Sequence, residues 1–185
     1  MIAVDTGFLY ALVDRNDAWH ERAREMAPTA TDGWVTTWPV LTEATHLMMR
    51  WLGPEFAAAL MDDVATGGIM LWEPPDAQVA RVAPLMRKYA KLPMDLADAS
   101  LVLLAEHLGH GHILSTDERD FSTYRWKNRQ PFHNLLAAAG CDFGQGYFFA
   151  WPMPAPAFDA FMEALAASAP GGSRPARAAS MPSTG

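Results

Sequence analysis

The chain has 185 residues, 50% of them apolar, and a formal net charge of −7 at pH 7. That length predicts one domain with room for an appendage, and the negative balance excludes a protein that coats nucleic acid through a broad positive field, though not an enzyme acting at a locally neutralised site. The lone Cys141 excludes an internal disulfide and suits a reducing compartment. Asp5 interrupts the apolar opening, so no signal peptide is expected, and no apolar run approaches the roughly 20 residues of a bilayer span. The expectation is a soluble, cytoplasmic protein without a membrane partner.

In chain order, Ile2 to Val4 reads as a short buried strand ending at Asp5-Thr6-Gly7. Phe8 to Val13 predicts a helical turn or two, and Asp17 is placed to cap a helix from Ala18 to Met26. Trp34-Val35-Thr36-Thr37 has strand character. Pro39 suits the first turn of a helix reaching about Trp51. Gly53-Pro54 separates it from a helix over Glu55 to Ala65, and Ile69 to Trp72 reads as a strand. Asp76 opens an amphipathic helical stretch to about Ala90, with a kink or break expected at Pro84. Asp95 to Leu108 is apolar nearly all round and should be a central helix, ended by Gly109. His112 to Ser115 is a strand, and Asp117 to Phe121 a turn. Short apolar strands alternating with helices imply a parallel sheet covered on both faces, with sites forming beyond the carboxyl ends of its strands.

Asp5, Glu43, Asp98 and Asp117 lie far apart in the chain, each flanked by apolar sequence where an unpaired charge is costly to bury. If they converge they need cations between them, and an oxygen-rich site suits Mg²⁺ or Mn²⁺. The pattern points to metal-dependent hydrolysis of a phosphodiester. Blander roles stand beside this one. Asp5 could be a helix N-cap, and Glu43 could stabilise the first turn of its helix. Asp95 shares a helix face with Asp98 and is the better cap, while Asp120, three beyond Asp117, could be an auxiliary ligand or a turn residue, the turn being preferred. His107, His110 and His112 could suggest a transition-metal site, but a polar helix end explains them. His20 and His46 read as surface or helix-face residues. Trp19, Trp34, Trp38, Trp51 and Trp72 read as packing. Arg15, Arg50, Lys88, Lys91, Arg119, Arg125, Lys127 and Arg129 are the candidate phosphate contacts.

Val4-Asp5-Thr6, Leu41-Thr42-Glu43-Ala44, Leu96-Ala97-Asp98-Ala99-Ser100-Leu101 and Leu114-Ser115-Thr116-Asp117-Glu118-Arg119-Asp120-Phe121, in that order, resemble a PIN-domain ribonuclease, most closely a VapC-type toxin. Asp17 and His20 echo a further segment of that family, and the resemblance runs to about Leu136. It implies a three-layer α/β/α fold with a short parallel sheet. It also implies an endoribonuclease dependent on Mg²⁺ or Mn²⁺ and inhibited by a cognate antitoxin, acting on RNA through the acidic tetrad Asp5, Glu43, Asp98 and Asp117, with a homodimer expected. Thr6 and Thr116, beside the acids, would orient carboxylates or bind phosphate.

After Leu136 the chain changes character. Gly140 to Ala150, then Pro152-Met153-Pro154, resembles the closing segment of an EAL-type cyclic-di-GMP phosphodiesterase. Such a fragment is too short for a core of its own, and Glu163-Ala164-Leu165 lies too late to be that family's signature. The expected organisation is a nuclease domain over residues 1–136, an EAL-tail-like appendage over 137–168 and a disordered tail over 169–185. A covalent phosphohydrolase using Asp5 would want a second aspartate where Gly7 stands. The rival of another class is a silent or occluded PIN-like binding protein.

Overall fold

The structure, a computed structural model, describes residues 1–29 and 33–138. Cys141, most of the EAL-like appendage and the expected disordered tail lie outside the described residues. The first half comprises β1 (Ile2–Val4), α1 (Thr6–Val13), α2 (His20–Met26), a 3-10 turn over Ala27–Thr29, β2 (Trp34–Thr37), α3 (Trp38–Trp51), α4 (Pro54–Thr66) and β3 (Ile69–Trp72). The second comprises α5 (Asp76–Val79), α6 (Val82–Lys88), α7 (Leu96–Leu108), β4 (His112–Leu114), α8 (Glu118–Thr123), β5 (Arg125–Trp126), β6 (Gln130–Pro131), β7 (His133–Asn134) and α9 (Leu135–Ala138).

β1, β2, β3, β4 and β7 form a single parallel sheet in the order β3-β2-β1-β4-β7, while β5 and β6 make a separate antiparallel hairpin. The register sets Ala3 between Val35 and Ile113, and Val4 beside Leu114. From β1 the chain first builds outward through β2 and β3, then returns to lay β4 on the other side. That reversal makes the gap between the ends of β1 and β4 the topological switch point, where a parallel sheet opens a crevice at its carboxyl edge. The strands are apolar because both faces are covered. The middle of helix α7 runs through the core: Leu101, Val102, Leu103 and Leu104 have no exposed surface, which explains an apolar sequence on every side there. Phe8 meets Trp34 edge to face at 5.5 Å, joining α1 to β2.

Most predicted elements are present, and the departures have local causes. The break expected at Pro84 falls at Ala80–Arg81. A proline ring clashes with the carbonyl four residues earlier, here Ala80, while Pro84 itself sits in the first turn of α6, where its missing N–H has no partner to lose. The turn expected at Asp117–Phe121 is helix α8, capped by the Asp117 side chain accepting from Asp120 N. Helix α2 begins at His20 rather than Ala18, because Asp17 accepts from Trp19 N and closes a separate turn first. His20 is buried, its Nδ1 2.7 Å from the Ala11 carbonyl oxygen, so it ties α2 to α1 and is no surface residue. Trp38 and Trp51 are 46% and 65% exposed, so packing does not explain those two rings. The expected domain boundary after residue 136 cuts through α9, where Leu136 is fully buried and Arg22 donates to the Ala137 carbonyl.

Candidate active site

Asp5 stands at the centre of the switch-point crevice, 9% exposed. One carboxylate oxygen accepts from Thr6 N at 2.7 Å and caps α1; the other accepts from Ser115 Oγ at 2.7 Å. Its role as a cap and its role in the cluster therefore coexist. Burial raises its pKa to about 6, further helped by the charges of Glu43 and Asp95, while the hydrogen bonds from Ser115 and Thr6 pull the other way.

The other expected acids reach Asp5 by different routes. Glu43, on an exposed turn of α3, accepts from Thr6 Oγ1 at 2.9 Å. Asp98 lies in the first turn of α7 within reach of the Asp5 charge; burial and then the neighbouring Asp95 raise its pKa to about 7, against hydrogen bonds from Asp95 N and Tyr124. Asp117 is joined through Ser115, whose Oγ accepts from Asp117 N at 3.0 Å. Asp95 caps α7 as predicted, accepting from Asp98 N at 2.9 Å while Asp98 accepts in return from Asp95 N. The helix start is itself pinned. Ser100 Oγ donates to Ala97 O at 2.7 Å, so the 2.6 Å contact with Thr37 Oγ1 has Thr37 as its donor, tying the end of β2 to α7.

Two residues near the end of the stretch that resembles the family hold this site, in roles that the sequence did not assign. Tyr124, fully buried at the end of α8, points its hydroxyl at Asp98 Oδ2 (3.0 Å) and at Asp120 Oδ2 (3.3 Å). Asp120 thus faces the cluster and is more than a turn residue. Asn134 holds the backbone of Ser115 from both sides. Thr6 contacts Glu43 as expected, whereas Thr116 packs over Gly7, where an added Cβ would lie 2.0 Å from Thr116 Oγ1. That crowding leaves no space at position 7 for the second aspartate of a covalent phosphohydrolase.

Among the described residues, no three His, Cys, Asp or Glu side chains form a ready-made metal cage. The hydrogen bonds explain this: Asp98 is turned toward Tyr124, and Asp117 spends an oxygen on capping α8. A full cage is not what Mg²⁺ needs, because it keeps several waters and takes one or two carboxylates beside the phosphate oxygens of its substrate. Burial drives Asp5 and the half-buried Asp98 toward protonation, a penalty that a hard divalent cation between carboxylates removes, while Glu43 and Asp117 stand exposed. The residues fit such an ion.

The candidate cations divide. Arg125 donates to the carbonyls of Ser122 and Tyr124 and is structural. Lys127 and Arg129 remain exposed on the β5–β6 hairpin, which Glu106 anchors through Lys127 N while also pairing with Arg81. His107 stacks on Trp72 rather than joining His110 and His112.

No protein-family model matches the chain. Ribonuclease VapC26 of Mycobacterium tuberculosis is 28% identical to it over 122 residues, 66% of this chain and 90% of that protein. Over those residues the chain is homologous to this VapC ribonuclease. Its fold is PIN-like: the crystal structure of M. tuberculosis VapC20, a toxin that cleaves the sarcin-ricin loop, superposes with a TM-score of 0.60 at 18% identity, over 76% of this chain and 95% of that one.

Proposed function

We propose that this VapC homologue is an endoribonuclease, the toxin of a toxin–antitoxin pair, hydrolysing RNA phosphodiester bonds at Asp5, Glu43, Asp98 and Asp117 with Mg²⁺ or Mn²⁺. The observation that carries the reading is Asp5 at the switch point within electrostatic reach of Glu43 and Asp98, with the Asp117 main chain tied to Ser115, in a chain similar to a named ribonuclease. The cation supplies Lewis acidity and an activated water. The protein supplies the rest. Asp5, Asp98, Glu43 and Asp117 are the carboxylates that would hold the ion. Thr6 and Ser115 keep the carboxylate planes of Glu43 and Asp5 from turning. Tyr124 holds Asp98 against rotation.

A cognate antitoxin and a second copy of this chain are the proposed partners, and the cytoplasm the proposed location. Among the described residues no helix is long and apolar enough to cross a membrane. The test is cleavage of a pool of structured RNAs with Mg²⁺, Mn²⁺ or EDTA, beside Asp5→Asn. Cutting should vanish with EDTA and fall by about a thousandfold or more in the variant. Cutting that survives both treatments removes the tetrad from the chemistry. A chain ending at Ala138, which keeps α9 whole, should cut at least as fast as the full chain. This expectation follows from placing the catalytic unit before the appendage.

A further inference from the structure

We propose that Asn134 is a positioning residue for the acidic centre, acting through Ser115; the proposal rests on the ribonuclease reading above. Strand β7 is two residues long, and its ladder with β4 reaches no further than the pairing of Ile113 with Asn134. Past that point the Asn134 side chain takes the place of backbone. Its Nδ2 donates to Ser115 O at 2.9 Å, and its Oδ1 accepts from Ser115 N at 3.3 Å and from Leu136 N at 3.2 Å. One amide thus satisfies both polar atoms of the Ser115 main chain, and its orientation is set, because a flipped amide would face donor with donor.

Ser115 is fully buried and its hydroxyl is committed at both ends. Its proton goes to Asp5 Oδ2 at 2.7 Å, and its oxygen accepts from Asp117 N at 3.0 Å. Turning the Ser115 peptide would move Oγ and disturb two members of the tetrad together. The segment after β4 has left the sheet ladder, so its own backbone pairing does not hold it; the Asn134 amide does. Asn134 also lines an open cleft of about 510 Å³ between α8 and the β7–α9 segment, with Glu118, Phe121 and Phe132. Replacing it therefore does not require the deep core to rearrange. A residue that merely extended the sheet would, on removal, lower stability and nothing else.

The test is a double-substitution cycle on the full chain, with Mn²⁺ affinity read by calorimetry, kcat and KM read on RNA, and folding followed by thermal unfolding. Asn134→Leu should weaken Mn²⁺ binding and lower kcat by about tenfold each, with KM held within about twofold, the scale of lost support for a ligating carboxylate. In a Ser115→Ala background the same substitution should add less than about twofold, because its route has already been removed. If the two effects multiply, or if unfolding shifts while Mn²⁺ affinity and kcat stay put, Asn134 is structural and the proposal is wrong. Should Asn134→Leu fail to fold, Asn134→Ala, which leaves room for water, must show the same non-additivity. A chain that binds Mn²⁺ without cutting RNA defeats the ribonuclease reading and leaves the Mn²⁺ cycle to decide Asn134. A chain that binds no Mn²⁺ defeats both.

Discussion

The two ends of the central sheet each gather like groups, and they treat them differently. At the carboxyl end, Glu43, Asp5 and Asp98 accept from the hydroxyls of Thr6, Ser115 and Tyr124, and Asp117 N donates to the Ser115 oxygen. At the amino end, His110, His112 and His133 stack ring on ring at 4.8 and 5.7 Å, with the chain's amino terminus near enough to act on His112. Burial, with neighbouring like charges behind it, disfavours charge in both places, raising Asp5 and Asp98 and lowering His112. His112 escapes by losing its proton more readily and packs between the other two rings. The acids are oriented by hydroxyls that favour the charged form even while burial opposes it. That opposition is the mark of a site built to be ionised in the presence of a partner.

Substitutions at the two ends should separate these roles. At the carboxyl end, Tyr124→Phe removes the hydroxyl from Asp98 and Asp120 and keeps the ring against Phe121 and Tyr89. The expected result is an activity loss of about tenfold with a stability change of about 1 kcal/mol, the worth of one hydrogen bond. Unchanged turnover with lowered stability would make Tyr124 a packing residue. At the amino end, a Cβ at Gly111 would lie 2.7 Å from the Pro131 carbonyl oxygen and 2.5 Å from Trp126 Nε1. Gly111→Ala should therefore cost about 1–3 kcal/mol in denaturant unfolding, the scale of overpacking, while kcat of the folded fraction stays the same. A drop in kcat there would mean that the two ends are coupled.

What the amino-acid sequence disclosed follows the same division. Strands β1, β2 and β3 and helix α7 are readable because continuous apolar runs, helix caps and the Gly109 stop are local signals. Asp5 and Asp98 are readable because each breaks or opens such a run. Strand β7 is not, since two polar residues carry no strand pattern and form one only by pairing with β4. Asn134 and Tyr124 act on Ser115 and Asp98, 19 and 26 positions away, through side-chain contacts that leave no spacing to detect. His20 misled because a buried histidine serving a backbone carbonyl looks, in sequence, like any residue on an amphipathic helix. Short-range chemistry was visible, and support supplied from across the fold was not.

The smallest expected effect is also the sharpest comparison, because it has opposite signs at the two ends. Asp5 and Asp98 move from the usual 3.8 to about 6 and about 7 on folding. Between those values the folded chain binds more protons than the unfolded one, so stability without metal is greatest in acid and falls as pH rises from about 4 to about 7. His112 is lowered from the usual 6.5 by burial and by its neighbours His110, His133 and the terminal amine. There the unfolded chain binds more protons, so this contribution is present above about 6.5 and is lost as pH falls. Thermal unfolding across pH 4 to 8 in EDTA should show both limbs. Asp98→Asn should flatten the neutral limb alone, and His112→Gln the acid limb alone. Adding Mn²⁺ at pH 8 should raise the melting temperature of the unsubstituted chain and of His112→Gln, and much less that of Asp98→Asn, since a ligand that binds the folded state stabilises it. Equal stabilisation of all three would place the cation somewhere other than the carboxyl end of the sheet.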